Sequence, residues 1–170
     1  MTPSAPSPNH FATLGLPERF KLDPEDLEIR HLRRSREVHP DAGELDDPAA
    51  QLERHHLSAA LNEAHRVLSD PVLRAEHLLA LHGGPAADSK RALAPAFLAE
   101  VLELREELEE GVGPERRTAL ADDLAGKRTA LLAKIATLFA DAERKESLGG
   151  IRQALDELKY LDGMLRELDG

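Results

Sequence analysis

The chain contains no cysteine. Disulfides, thiolate metal sites and cysteine nucleophiles are therefore excluded. Aromatic residues are nearly as scarce, with four Phe, one Tyr and no Trp among 170 residues. A core must be built mainly from Leu and Ala. Basic charge is in deficit: 22 Lys and Arg stand against 32 Asp and Glu, a formal net charge of −10. Nucleic acid and anionic membrane repel such a chain unless a local basic patch overrides the mean. No run is long and apolar enough to span a bilayer. Residues 1–8 carry Pro and Ser but no basic residue and no apolar stretch, and read as a disordered tail rather than a signal or transit peptide. Gly-rich phosphate loops, a Gly-x-Ser-x-Gly elbow and a His-Glu-x-x-His zinc motif are all missing. His55 and His56 are adjacent, about 100° apart on a helix, and make a poor chelating pair. No enzymatic activity, cofactor or metal site is expected.

What is present favours helix. Apolar residues make up 41% of the chain, and Leu, Ala, Glu and Arg dominate. Asn9 can cap a short helix carrying Phe11 and Leu14, stopped by Gly15 and Pro17. Asp23-Pro24-Glu25-Asp26 is a strong helix start, with a cap, a proline at the first position and acids near the positive helix end. That helix should end at Val38, because the residue before Pro40 avoids the helical region. Asp46 or Asp47 with Pro48 opens a third helix to about Leu68, with Leu57, Leu61, Ala64 and Leu68 as its buried stripe. Asp70 can cap a fourth helix through Leu81, ended by Gly83-Gly84-Pro85. The two long helices should lie antiparallel as a hairpin.

The second helix concentrates Arg30, Arg33, Arg34 and Arg36 within seven residues. This is the most basic surface of an acidic chain, and it leads directly into His39-Pro40-Asp41. Such a face suits an acidic protein partner. Leu27, His31, Arg34 and Val38 share what should be the core side, where His31 and Arg34 are poor residues; Arg34 can lay its aliphatic stem along the core.

Residues 85–93 read as a linker. Three helices follow, at about Pro95–Glu110, Pro114–Glu146 and Ile151–Leu168, separated by Gly111-Val112-Gly113 and by Gly149-Gly150. Short loops imply an antiparallel three-helix bundle. On its first helix Phe97, Val101, Leu104 and Leu108 fall within about 60°, a buried seam. Leu98 and Leu102 lie outside that seam, near Ala99, Glu103, Glu106 and Glu110. On the last helix Ile151, Leu155, Leu158 and Leu165 form the seam, with Tyr160 and Met164 opposite. An apolar stripe rimmed by carboxylates suits a protein partner.

The basic helix, His39-Pro40-Asp41, the run Leu61-Asn62-Glu63-Ala64-His65-Arg66-Val67-Leu68-Ser69-Asp70-Pro71 and Arg74-Ala75-Glu76 together resemble a J-domain. Asn9-His10-Phe11, Leu14-Gly15-Leu16-Pro17, Phe97-Leu98 and Leu102-Glu103-Leu104-Arg105-Glu106-Glu107-Leu108 resemble the HscB family of co-chaperones. The resemblance runs from about Asn9 to the C-terminus. It implies an all-α, L-shaped protein: a J-domain over residues 9–84, made of a helical hairpin with short flanking helices, and a three-helix bundle over residues 94–170. It further implies stimulation of an HscA-type, DnaK-class chaperone ATPase through His39, Pro40 and Asp41, with Arg30, Arg33, Arg34 and Arg36 as the docking face. The bundle would bind an IscU-type scaffold of iron-sulfur cluster assembly through Leu98, Ala99, Leu102, Glu103, Glu106, Glu110 and Tyr160. The alternative is a J-domain co-chaperone that serves a general DnaK-class chaperone with a different client. His31, His65 and His77 stand where J-domains commonly carry aromatic residues, and Ala42-Gly43-Glu44 lacks the usual basic residue. Without cysteine the chain resembles the bacterial type, expected in the cytoplasm.

Overall fold

A computed structural model of the chain describes residues 8–38, 48–87, 93–141 and 145–169. These residues form helices and no strand. The chain divides into two compact units, Met1–Leu81 and His82–Gly170.

In the first unit α1 is His10–Leu14, only five residues long. A helix that short has no stability of its own in water. Burial holds it: Phe11 and Leu14 are both fully buried, each contributing about 1.5–3 kcal/mol. Asn9 accepts the Ala12 N–H at 3.2 Å to start the helix. Gly15, at φ 67°, ends it in the left-handed region, where a Cβ would cost about 1–2 kcal/mol.

Helix α2 is Pro24–Glu37, and the Asp23 carboxylate accepts the Glu25 N–H at 3.0 Å. Helix α3 is Pro48–Ser69 and α4 is Pro71–Leu81. Asp70 breaks the chain between these two and caps α4 by accepting the N–H groups of Val72 (2.8 Å) and Leu73 (2.9 Å). The predicted hairpin forms: Glu28 meets His65 and His31 meets Asn62, so residue numbers rise along α2 as they fall along α3. Leu16, Phe20, Leu27, Leu61, Ala64, Val67, Leu68, Ala75, Leu78 and Leu79 complete the core. The Arg74 guanidinium lies 5.3 Å from the Phe20 ring centroid and donates to the Leu68 carbonyl at 2.6 Å.

Leu57 is not part of the buried stripe; it is 47% exposed. The hairpin register explains this. Continuing the pairing of Glu28 with His65 and His31 with Asn62 puts Leu57 opposite Arg36, in the last turn of α2.

The second unit contains α5 (Pro95–Glu110), α6 (Pro114–Phe139) and α7 (Lys145–Asp169). Val101, Leu120, Leu124, Leu161, Met164 and Leu168 form one core cluster, against which Phe97, Leu104, Leu108, Leu131 and Leu165 pack. Ile135, Ile151, Leu155 and Leu158 are also buried.

Two sequence expectations fail here. Helix α6 ends at Phe139 rather than near residue 146, and α7 begins at Lys145, with Gly149-Gly150 inside it. Each mid-helix glycine costs about 1 kcal/mol relative to Ala, but Gly150 lies against α6. A Cβ there would stand 3.2 Å from Leu138 Cδ1, so the missing side chain lets the helices approach. Met164 is buried at 2% exposure, not opposite the core. A helix packed on two neighbours needs a wider apolar stripe than a single seam.

His77 ties α4 to α1. Its Nε2 accepts the His10 backbone N–H at 3.1 Å, and its ring stacks 5.7 Å from Phe11. That bond requires a lone pair on Nε2, hence a neutral ring. Burial, foremost, lowers the His77 pKa below 6.5, with a further contribution from His10; burial likewise lowers His10. The unfolded chain therefore takes up protons first as pH falls. This part of the stability is complete above 6.5 and is lost as pH drops through 6.5 toward the lowered folded-state values. The melting temperature should fall on acidification from about pH 7.5 to about pH 5.5, and His77→Phe should flatten the decline. A parent midpoint independent of pH over that range would contradict this. Gly15→Ala should cost about 1–2 kcal/mol in urea unfolding, and an unchanged midpoint would count against the strain argument.

Candidate functional site

Two surfaces collect the residues singled out from the sequence. The first is α2. Its four arginines do not act alike. Arg30 donates from Nε to Asp26 Oδ1 at 2.8 Å and reaches the Gly15 carbonyl with Nη1. Arg34 also turns toward α1, its Nη2 standing 3.0 Å from where a Gly15 Cβ would be. Both are half-buried, whereas Arg33 and Arg36 are exposed. Two large apolar side chains share the outward side, Ile29 at 57% and Leu32 at 45% exposure. The outward surface is thus cationic and apolar together, a combination suited to an acidic protein surface with an apolar patch. His39, Pro40 and Asp41, with Ala42-Gly43-Glu44, lie outside the described residues.

Helix α2 also explains its two awkward core-side residues. Arg34 turns its guanidinium to the C-terminal end of α1, beside Gly15. The His31 ring stacks on the His65 ring of α3, with centroids 4.2 Å apart. Sequence reading missed this pairing. The available signal was that both positions carry His where an aromatic is usual, on helices expected to pair.

The second surface lies on the bundle. Leu98, Ala99, Leu102, Glu103, Glu106 and Glu110 are all exposed on α5. They occupy an arc of about 140° at 100° per residue. Leu98 is 43% and Leu102 53% exposed, and Tyr160 of α7 is 42% exposed. Tyr160 meets Phe97 edge-on, with ring centroids 6.4 Å apart and planes at 80°. This contact joins the first turn of α5 to α7.

Ion pairs hold α5 in orientation. Arg116 donates to both Glu107 oxygens, at 2.5 and 2.9 Å. That hydrogen bond, foremost, holds the Glu107 carboxyl below the usual carboxylate range. Lys127 bonds Glu100 and Asp123, and the Glu100 bond, foremost, raises its pKa. With Glu100 and Glu107 committed to α6, Glu103, Glu106, Glu109 and Glu110 remain as the exposed carboxylates of the outward arc. Nothing in this arrangement provides a nucleophile with an adjacent base. Its chemistry is that of a contact surface: large apolar side chains in water beside carboxylates. Among the described residues no helix is long and apolar enough to cross a membrane.

Comparison with known proteins agrees with this geometry. Residues 93–169 match the family described as the HSCB C-terminal oligomerisation domain. Over the whole chain, the structure is similar to the chaperone HscB from Vibrio cholerae, with 29% sequence identity, a TM-score of 0.72, and coverage of 95% of this chain and 96% of that one. It is similar to the human co-chaperone protein HscB at 20% identity and a TM-score of 0.83, covering 98% of this chain and 83% of that one. It is also similar to the Jac1 co-chaperone from Saccharomyces cerevisiae at 16% identity and a TM-score of 0.74, covering 98% and 95%. At these two lower identities the likeness is one of fold. The chain has the J-domain co-chaperone fold of the HscB and Jac1 family.

Proposed function

We propose that this chain is a co-chaperone of iron-sulfur protein maturation in the cytoplasm. Its bundle binds an IscU-type cluster scaffold through Leu98, Ala99, Leu102, Glu103, Glu106, Glu110 and Tyr160. Its first unit docks on an HscA-type, DnaK-class chaperone and stimulates that chaperone's ATPase. The observation that carries the reading is the exposure of Leu98, Leu102 and Tyr160 beside carboxylates, in a chain with this fold.

The mechanism is conformational coupling. Arg33 and Arg36, with Arg30 and Arg34 behind them, attract an acidic surface on the ATPase. His39-Pro40-Asp41 favours the chaperone state that hydrolyses nucleotide, and a ligand that prefers one state shifts the population toward it. The bundle meanwhile holds the scaffold at high effective concentration near the chaperone's substrate site. The chain transfers no chemical group itself. The family description of residues 93–169 as an oligomerisation domain favours a second reading, in which the same α5 face pairs copies of this chain.

His39→Gln should abolish stimulation in a single-turnover ATPase assay while leaving scaffold capture intact; undiminished stimulation would remove the tripeptide from the mechanism. The Leu98→Ala, Leu102→Ala, Tyr160→Ala triple variant should weaken scaffold capture at least tenfold, about 1.4 kcal/mol. Unchanged capture would exclude the face, and a change in elution volume on gel filtration would support the pairing of copies instead. Leu102→Ala alone should move stability by no more than about 0.5 kcal/mol, because it is exposed, whereas Leu124→Ala should cost about 2–5 kcal/mol. Equal effects in urea unfolding would contradict the assignment of surface and core.

A further inference from the structure

We propose that Glu28, His31 and His65 form a binding site for a divalent transition-metal ion of the zinc class, which clamps α2 to α3. Each side chain offers one ligand atom, a carboxylate oxygen or a ring nitrogen, and these atoms all lie within 4.8 Å of one another. Glu28 and His31 are three residues apart on α2 and share a face. His65 faces them from α3. Two imidazole nitrogens and a carboxylate oxygen are a donor set that suits zinc and its transition-metal neighbours. Magnesium, which requires near-ideal octahedral oxygen ligands, does not fit.

Three protein ligands leave one tetrahedral position. Two neutral oxygen groups stand beside the cluster: Asn62 Oδ1 is 3.2 Å from His31 Nε2, and Ser69 Oγ is 3.4 Å from His65 Nε2. Either oxygen or a water can occupy the fourth place.

The metal-free geometry shows what binding must change. His65 Nε2 lies 2.8 Å from Glu28 Oε2. The two imidazoles are stacked at an interplanar angle of 22°, so their lone pairs run side by side instead of converging. Metal–nitrogen bonds of about 2.0–2.1 Å place tetrahedral donors roughly 3.3 Å apart. The cluster must therefore contract, and a ring must turn about its last torsion, which is broad and soft. The side chains leave room for that turn, Glu28 being 51% and His65 29% exposed.

His31 supplies an independent observation. Its Nδ1 is buried and has no hydrogen-bond partner among the described residues. In the tautomer whose Nε2 donates to Asn62 and whose Nδ1 carries no proton, that nitrogen has an unused lone pair. A buried polar atom without a partner calls for an unseen water or ion. A half turn of the ring about its last torsion exchanges Nδ1 with Cδ2 and Nε2 with Cε1, and so takes Nδ1 out of its unpartnered position. Occupancy would fix the register of the two helices that flank residues 38–47, one residue from the outward pair Leu32 and Arg33.

The test is calorimetric titration of the full-length, untagged, chelator-stripped chain with zinc chloride and, separately, magnesium chloride. One zinc and no magnesium should bind per chain. Glu28→Gln should weaken zinc at least about tenfold, and His31→Gln should abolish the site. The exposed pair altered as His55→Gln, His56→Gln should bind as the parent does. Zinc should raise the melting temperature of the parent and not that of His31→Gln. Glu28→Gln changes a half-exposed side chain and keeps the test valid should His31→Gln fail to fold. Absence of zinc heat at tens of micromolar, unchanged affinity in Glu28→Gln, or loss of the site in the His55, His56 variant would each overturn the proposal. A scaffold-binding result of either sign leaves this outcome untouched.

Discussion

Phe11 and Leu14 are fully buried, and the first unit's outward chemistry depends on that burial. A five-residue helix exists only because these two side chains are inserted among α2, α3 and α4. Once α1 is fixed, its left-handed stop at Gly15 must be covered, and α2 covers it with Arg30 and Arg34. Two of the four arginines are thereby drawn inward. Arg33 and Arg36 keep their charge in solvent, beside Ile29 and Leu32. The outward surface of α2 is half as cationic as the sequence suggests, and considerably more apolar.

The bundle obeys the same economy. Helix α5 gives one narrow seam, centred on Val101, to the shared core. Ion pairs from Glu100 and Glu107 to α6 then set its rotation. Everything outside the seam faces water, including Leu98 and Leu102. Exposing those side chains brings no folding benefit, which is the physical reason to read them as a contact surface. The large apolar stripe of α7 does the opposite and spends nearly all its Leu and Met on two neighbours.

Local chemistry was legible in the sequence. Asn9, Asp23 and Asp70 start helices because each carboxylate or amide needs only the next two or three N–H groups. Pro95 and Pro114 mark starts for a similarly local reason. Tertiary decisions were not legible. Gly149-Gly150 looks like a break and is a helix interior, because its meaning lies in Leu138 across the interface. Leu57 fits the apolar period but faces the end of α2, which only the hairpin register reveals. Met164 needed knowledge that α7 has two partners. The meeting of Glu28, His31 and His65 was invisible for the same reason: two helices supply it. The α5 face was legible because its exposed and buried arcs are both written on one helix.

The account rests on the α5 face meeting a cluster scaffold while α2 looks to the chaperone. Hydrogen exchange of the full chain, with and without an IscU-type scaffold, addresses this most directly. The account predicts slowed exchange across residues 98–110 and around Tyr160, with Ile29–Arg36 unchanged. Slowed exchange at Ile29–Arg36 with no change across residues 98–110 would contradict it.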